Sequence, residues 1–160
     1  KDTKCLQSSK LEFVVGSIFE LSKLKKKFNL VFNHGVYEHW LQKDERRHIL
    51  KNISSVLCEK GKYIVAVPNL KNQLFNTALS KNNVPEMCEF SIQELEIELC
   101  QNNFKVIESG YLFVSPGFEQ WLKKKWIKYP IKFIDKFYYK LPGILKKLFS
   151  AHIYCVAEKL

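Results

Sequence analysis

The sequence predicts an α/β domain: a mainly parallel sheet with helices on both faces and a helical insertion before the last strand. Three observations predict it. The apolar runs Leu30-Val31-Phe32 and Tyr63 to Val67 have strand length and end in polar or proline-marked turns. Between them, Lys43 to Leu57 has helical periodicity. Strands that alternate with helical segments build sheets joined by crossover connections. The chain has 160 residues, 46% of them apolar, which suffices for one domain with a real core.

Taken in order, Lys1 to Lys10 is a polar lead-in and Leu11 to Val15 a short strand candidate. Ser22 to Lys27 is a charged connector, followed by the strand Leu30 to Phe32. In the helix Lys43 to Leu57, Ile49, Leu50, Ile53, Val56 and Leu57 fall on one face. Gly61 is placed to end that helix as a C-terminal cap. Lys62 to Val67 is a buried strand stopped by Pro68. Asn69 to Glu89 lacks periodicity and reads as a loop. Ser91 and Glu94 form a capping box ahead of Leu95, Ile97 and Leu99. Phe104 to Glu108 and His152 to Ala157 are the last two strands.

Five cysteines, Cys5, Cys58, Cys88, Cys100 and Cys155, are scattered without a Cys-x-x-Cys spacing. An odd, unpatterned set suits a reducing compartment and small buried thiols better than a disulfide framework or a metal site, so no metal is expected. No apolar run is long enough for a membrane span, and these residues contain no signal-peptide pattern. Cytoplasmic location is the expectation.

Charge is uneven. Residues 1–116 hold 16 Lys/Arg and 13 Asp/Glu, a net of +3, whereas residues 117–160 hold 10 and 3, a net of +7. From Trp121 to Leu148, Trp126, Tyr129, Phe133 and Phe137 interleave with lysines, and Ile127, Ile131, Ile134, Tyr138, Leu141 and Leu145 approximate helical spacing. Residues 117–149 are therefore expected to form a basic aromatic helical insertion. It can act as a lid over a pocket, or as an amphipathic surface resting on anionic membrane or nucleic acid. The lid is preferred, because the segment lies between the last two strands, where insertions become substrate covers.

The run Phe28 to Trp40 is the most informative. A strand breaks into Asn33-His34-Gly35 and resumes with Glu38-His39. Strands that deliver polar groups at their carboxyl ends build the ligand sites of open α/β sheets. This run resembles the fourth-strand motif of class I S-adenosylmethionine-dependent methyltransferases. Phe13 to Leu21 looks like the family's third strand and following loop, Ser55 to Asn69 like its helix end and fifth strand, and Phe90 to Ile107 like its later helix and sixth strand. The resemblance implies a partial Rossmann-like sheet, taken from a family strand order of 3-2-1-4-5-7-6. On this reading residues 1–160 are the C-terminal part of one methyltransferase domain. The family's Gly-rich loop and ribose-binding acid have no counterpart: no two of the six glycines lie within three residues of each other.

The resemblance also implies roles. S-adenosylmethionine is the cofactor. Gly16, Ser17 and Ile18 stand where the family holds the adenine, although Ser17 replaces the usual Asp and Asn29 the usual Asp before the fourth strand. Asn33, His34 and Gly35 stand at the methionine end. Glu38 and Asn69 face the acceptor, and His39 is the candidate catalytic base. The Asn-Pro-Pro-aromatic signature of base-nitrogen methyltransferases is absent, which argues against nucleic acid and for a small or lipid-like acceptor. The alternatives are a non-catalytic binding module of the same fold, or a basic protein that binds membrane or RNA through residues 121–148. The chain alone is expected to be inactive, to bind the cofactor poorly, and to associate through an exposed strand edge.

Overall fold

In the computed structural model, residues 12–72, 86–114 and 140–160 are described. Their elements are a 3₁₀ segment (Ile18–Leu24), β1 (Phe28–His34), a short 3₁₀ turn (Tyr37–His39), α1 (Lys43–Val56), β2 (Leu57–Pro68), α2 (Ile92–Cys100), β3 (Phe104–Val114), α3 (Gly143–Phe149) and β4 (Ser150–Lys159). Four strands form one sheet in the order β1-β2-β4-β3.

The pairing corrects one expectation. β1 and β2 are parallel, but β4 runs antiparallel to both β2 and β3, so the sheet is mixed rather than mainly parallel. The reversal follows from the connection. β3 ends and β4 begins at the same edge of the sheet, so β4 must run back between β2 and β3. The order itself matches the 4-5-7-6 part of the order that the resemblance implies.

Burial explains why β2 is the longest apolar strand. It lies between two neighbours, and Tyr63, Val65 and Val67 are all 0% exposed. Alternate residues of a strand share a face. Tyr63, Val65 and Val67 therefore join Ile153, Cys155 and Ala157 in one core cluster, against Ile49, Leu50 and Ile53 of α1 and Leu95 and Leu99 of α2. Helices α1 and α2 thus cover the same face of the sheet. On the other face Leu30 and Phe32 are 50% and 71% exposed.

Two local expectations also change. Residues 12–17 form no strand, and Phe13 and Val15 are 88% and 103% exposed. A strand needs a hydrogen-bonding neighbour, and among the described residues none lies beside this segment. Gly61 does not cap α1, which ends at Val56 and passes directly into β2. Instead the chain turns tightly through Lys60 (φ 57°), and a Cβ at Gly61 would stand 2.8 Å from the Cys58 carbonyl oxygen. The capping box is present: Ser91 accepts from the Glu94 amide and Glu94 accepts from the Ser91 amide. The described part of the insertion is α3. The rest of it, Trp121, Trp126 and most of its lysines included, lies outside the described residues.

Candidate functional site

The carboxyl ends of β1, β2 and β3 and the start of β4 lie along one edge of the sheet. β1 delivers Asn33 and His34 there. Gly35 then turns the chain with φ +67°, a conformation that favours glycine, while its amide donates to the Ala66 carbonyl at 3.0 Å. That turn swings Tyr37-Glu38-His39 over the end of the sheet.

Glu38 is the notable group. It is 1% exposed. One carboxylate oxygen, Oε1, stands 3.9 Å from His39 Nε2, and the other, Oε2, is buried with no hydrogen-bond partner among the described residues. Burial pushes its pKa above the usual carboxylate range, against the pull of its own backbone amide and then of His39 and His34. The side chain of Asn33 donates to the Tyr63 hydroxyl at 2.9 Å, while its Oδ1 is likewise buried without a donor. Burial and the Glu38 charge raise the Tyr63 phenol, so it stays protonated. This edge therefore presents two buried acceptor oxygens whose hydrogen-bonding capacity is unused, a costly arrangement in a core and a useful one in a site.

His34 packs against His152 of β4, with ring centroids 4.4 Å apart. Burial and the neighbouring His34 lower the His152 pKa to about 4, which keeps it neutral. His39, by contrast, is 44% exposed at its side chain. Asn69 follows β2. Its amide donates to the Ser150 hydroxyl at 2.8 Å and to the Lys147 carbonyl at 3.1 Å, which ties the end of β2 to the junction of α3 and β4. It also lines a cleft of about 280 Å³ with Ile92, Tyr111, Ile144 and Lys147. Gly16, Ser17 and Ile18 line a different cleft, of about 410 Å³. There Ser17 caps the 3₁₀ segment, its hydroxyl accepting from the Phe19 amide at 3.2 Å, and Gly16 has open space where a Cβ would point.

The structure thus gathers Asn33, His34, Gly35, Glu38 and His39 at one edge, with Asn69 at the end of the adjoining strand. Gly16 to Ile18 form a separate wall. A buried network behind the site was not anticipated. Tyr37 and Arg46 both donate to Glu98 Oε1, each at 2.8 Å, and Arg46 also donates to the carbonyls of Trp40 and Leu41 at 2.8 Å. It fixes the segment that carries Glu38 and His39. The clue was present: Arg46 shares the apolar stripe of Ile49, Leu50 and Ile53, and Glu98 that of Leu95 and Leu99.

Residues 1–65 match the family model described as "Methyltransferase domain". No curated protein matches the chain. Among solved structures, a SAM-dependent methyltransferase from Archaeoglobus fulgidus is similar over 91% of this chain and 66% of its own, with 14% identity and a TM-score of 0.61. An S-adenosylmethionine-dependent methyltransferase from Clostridium acetobutylicum is similar over 91% and 63%, with 8% identity and a TM-score of 0.54. At such identities the likeness establishes the fold alone. The chain spans between 35% and 66% of the lengths of the solved proteins it resembles.

Proposed function

We propose that this chain, part of a class I S-adenosylmethionine-dependent methyltransferase domain by its sequence match and its sheet, serves methyl transfer from S-adenosylmethionine to a small or lipid-like acceptor. The observation that carries the proposal is the pair of buried acceptors, Glu38 Oε2 and Asn33 Oδ1, at the carboxyl edge of β1. The methionine end of this cofactor carries an ammonium and a sulfonium, the donor and positive charge that those oxygens call for.

Asn33, Gly35 and Glu38 would hold the methionine end, and Gly16, Ser17 and Ile18 the adenine. When bound, the cofactor supplies a methyl group on a good leaving group, so positioning does most of the work. His39, exposed beside Glu38, takes the acceptor's proton where the acceptor has one. Asn69 and the cleft beside it form the acceptor wall.

A non-catalytic binding module of the same fold is the second reading. The commitment of the Ser17 hydroxyl to its own 3₁₀ segment favours it, since that group then has less to offer a ligand.

Calorimetric titration with S-adenosylhomocysteine, on this chain and on the longest natural form of the protein, tests the cofactor. Glu38→Leu should weaken binding about tenfold or more, the loss of one charge-assisted hydrogen bond. Equal affinity in Glu38→Leu would remove the proposal's main support. Label transfer from methyl-labelled cofactor into polar and lipid extracts then separates enzyme from binding module.

A further inference from the structure

The helix α3, Gly143–Phe149, stands at the site's own edge, tied to Asn69 through the Lys147 carbonyl and running straight into β4. Its apolar side chains are turned outward: Ile144 is 78% exposed, Leu148 53% and Leu145 37%. Lys140 precedes it, and Lys146 and Lys147 lie in its last turn. From Lys136 to Ala157 the sequence contains no Asp or Glu. Apolar side chains set among cations, with no counter-charge in the segment, suit an interface with an apolar interior and an anionic surface.

We propose that α3 is a docking surface for anionic lipid membrane, with Ile144 and Leu148 entering the headgroup boundary and the exposed Lys140 and Lys147 meeting lipid phosphates. Because Ile144 and Lys147 also line the cleft beside Asn69, docking sets the mouth of that cleft against the lipid. A membrane-borne acceptor then reaches the edge of the sheet without crossing water. The docking surface stands without the methyl-transfer reading; only the acceptor's source rests on it.

Co-sedimentation of the longest natural form of the protein with vesicles, against a control without vesicles, tests this, using phosphatidylcholine alone and phosphatidylcholine with phosphatidylglycerol at 3:1, at low and at moderate salt. The expected result is binding to the anionic vesicles that weakens as salt rises. Lys140→Glu with Lys147→Glu should lower it at least about tenfold at low salt. Ile144→Asp with Leu148→Asp should abolish it at both salts. All four positions are exposed, and a thermal melt of each variant confirms that the fold survives. Equal sedimentation with neutral vesicles, or anionic binding unchanged in either double variant, would overturn the proposal. So would displacement by RNA of a wild-type complex that Ile144→Asp with Leu148→Asp leaves intact, since that marks a nucleic-acid surface.

Discussion

Replacing Arg46 with Met should be among the most damaging single changes outside the apolar core. Arg46 is 8% exposed, and its partner Glu98 is 7% exposed. The change removes the 2.8 Å bond to Glu98 and the two 2.8 Å bonds to the Trp40 and Leu41 carbonyls, together with the approach of the guanidinium to the Phe90 ring at 5.5 Å. Among the described residues, Glu98 then keeps the Tyr37 hydroxyl alone as a side-chain donor to its carboxylate. Breaking a buried ion pair from one side costs about 3–5 kcal/mol, because the remaining charge stays buried. Removing both charges in Arg46→Met with Glu98→Leu spares that penalty and should recover about 2 kcal/mol or more. Urea denaturation followed by circular dichroism measures all three variants. A cost below about 1 kcal/mol for Arg46→Met, or a double variant as unstable as the sum of the singles, would refute the reasoning. Cofactor affinity should fall in Arg46→Met even at temperatures where the fold persists, since the network anchors the turn that holds Glu38.

Two further outcomes follow from single residues. His152, held neutral with a pKa of about 4 in the fold against 6.5 for the free side chain, makes unfolding easier in acid. The unfolded chain takes up a proton below pH 6.5 that the folded chain refuses until about 4, so its stability contribution is lost across that window, up to about 3 kcal/mol. In His152→Gln the pH profile of the urea midpoint should be flatter there, and an unaltered profile would contradict the assignment. At Gly61 an added methyl would meet the Cys58 carbonyl oxygen at 2.8 Å, whereas at Gly16 it would meet nothing within 4 Å. Gly61→Ala should therefore cost about 1–3 kcal/mol in a thermal melt and Gly16→Ala almost nothing; equal melting temperatures would count against the tight turn.

Those parts of the fold written in local patterns were legible in the sequence. The α1 face of Ile49, Leu50, Ile53 and Val56 is buried as its spacing requires, whereas Leu57, expected on that face, is buried as the first residue of β2; the Ser91–Glu94 box starts α2. What depended on distant partners was not legible. Leu11 to Val15 has the composition of a strand, but composition does not supply a neighbouring edge. The direction of β4 depends on which edge the long connection returns to, and no residue in His152 to Ala157 encodes that. Gly61 looked like a helix cap because it follows one; the close approach of the Cys58 and Phe28 carbonyls, which demands glycine, is a tertiary fact. At the site, Gly35 and Glu38 were marked by their place after β1, but the burial of the Glu38 carboxylate becomes visible only once the turn is folded over the end of the sheet and held there by distant residues. The Cys88 amide, for example, donates to the Glu38 carbonyl at 2.8 Å.

The central claim is that the turn after β1 receives the methionine end of S-adenosylmethionine. Ultraviolet cross-linking of the longest natural form of the protein with methyl-labelled cofactor, followed by tryptic mapping, tests it most directly. Cleavage after Lys27 and Lys43 isolates the segment from Phe28 to Lys43, which contains Asn33, Gly35, Glu38 and His39. The account predicts label in that peptide, displaced by excess S-adenosylhomocysteine. Displaceable label confined to other peptides, or no displaceable label, would contradict it.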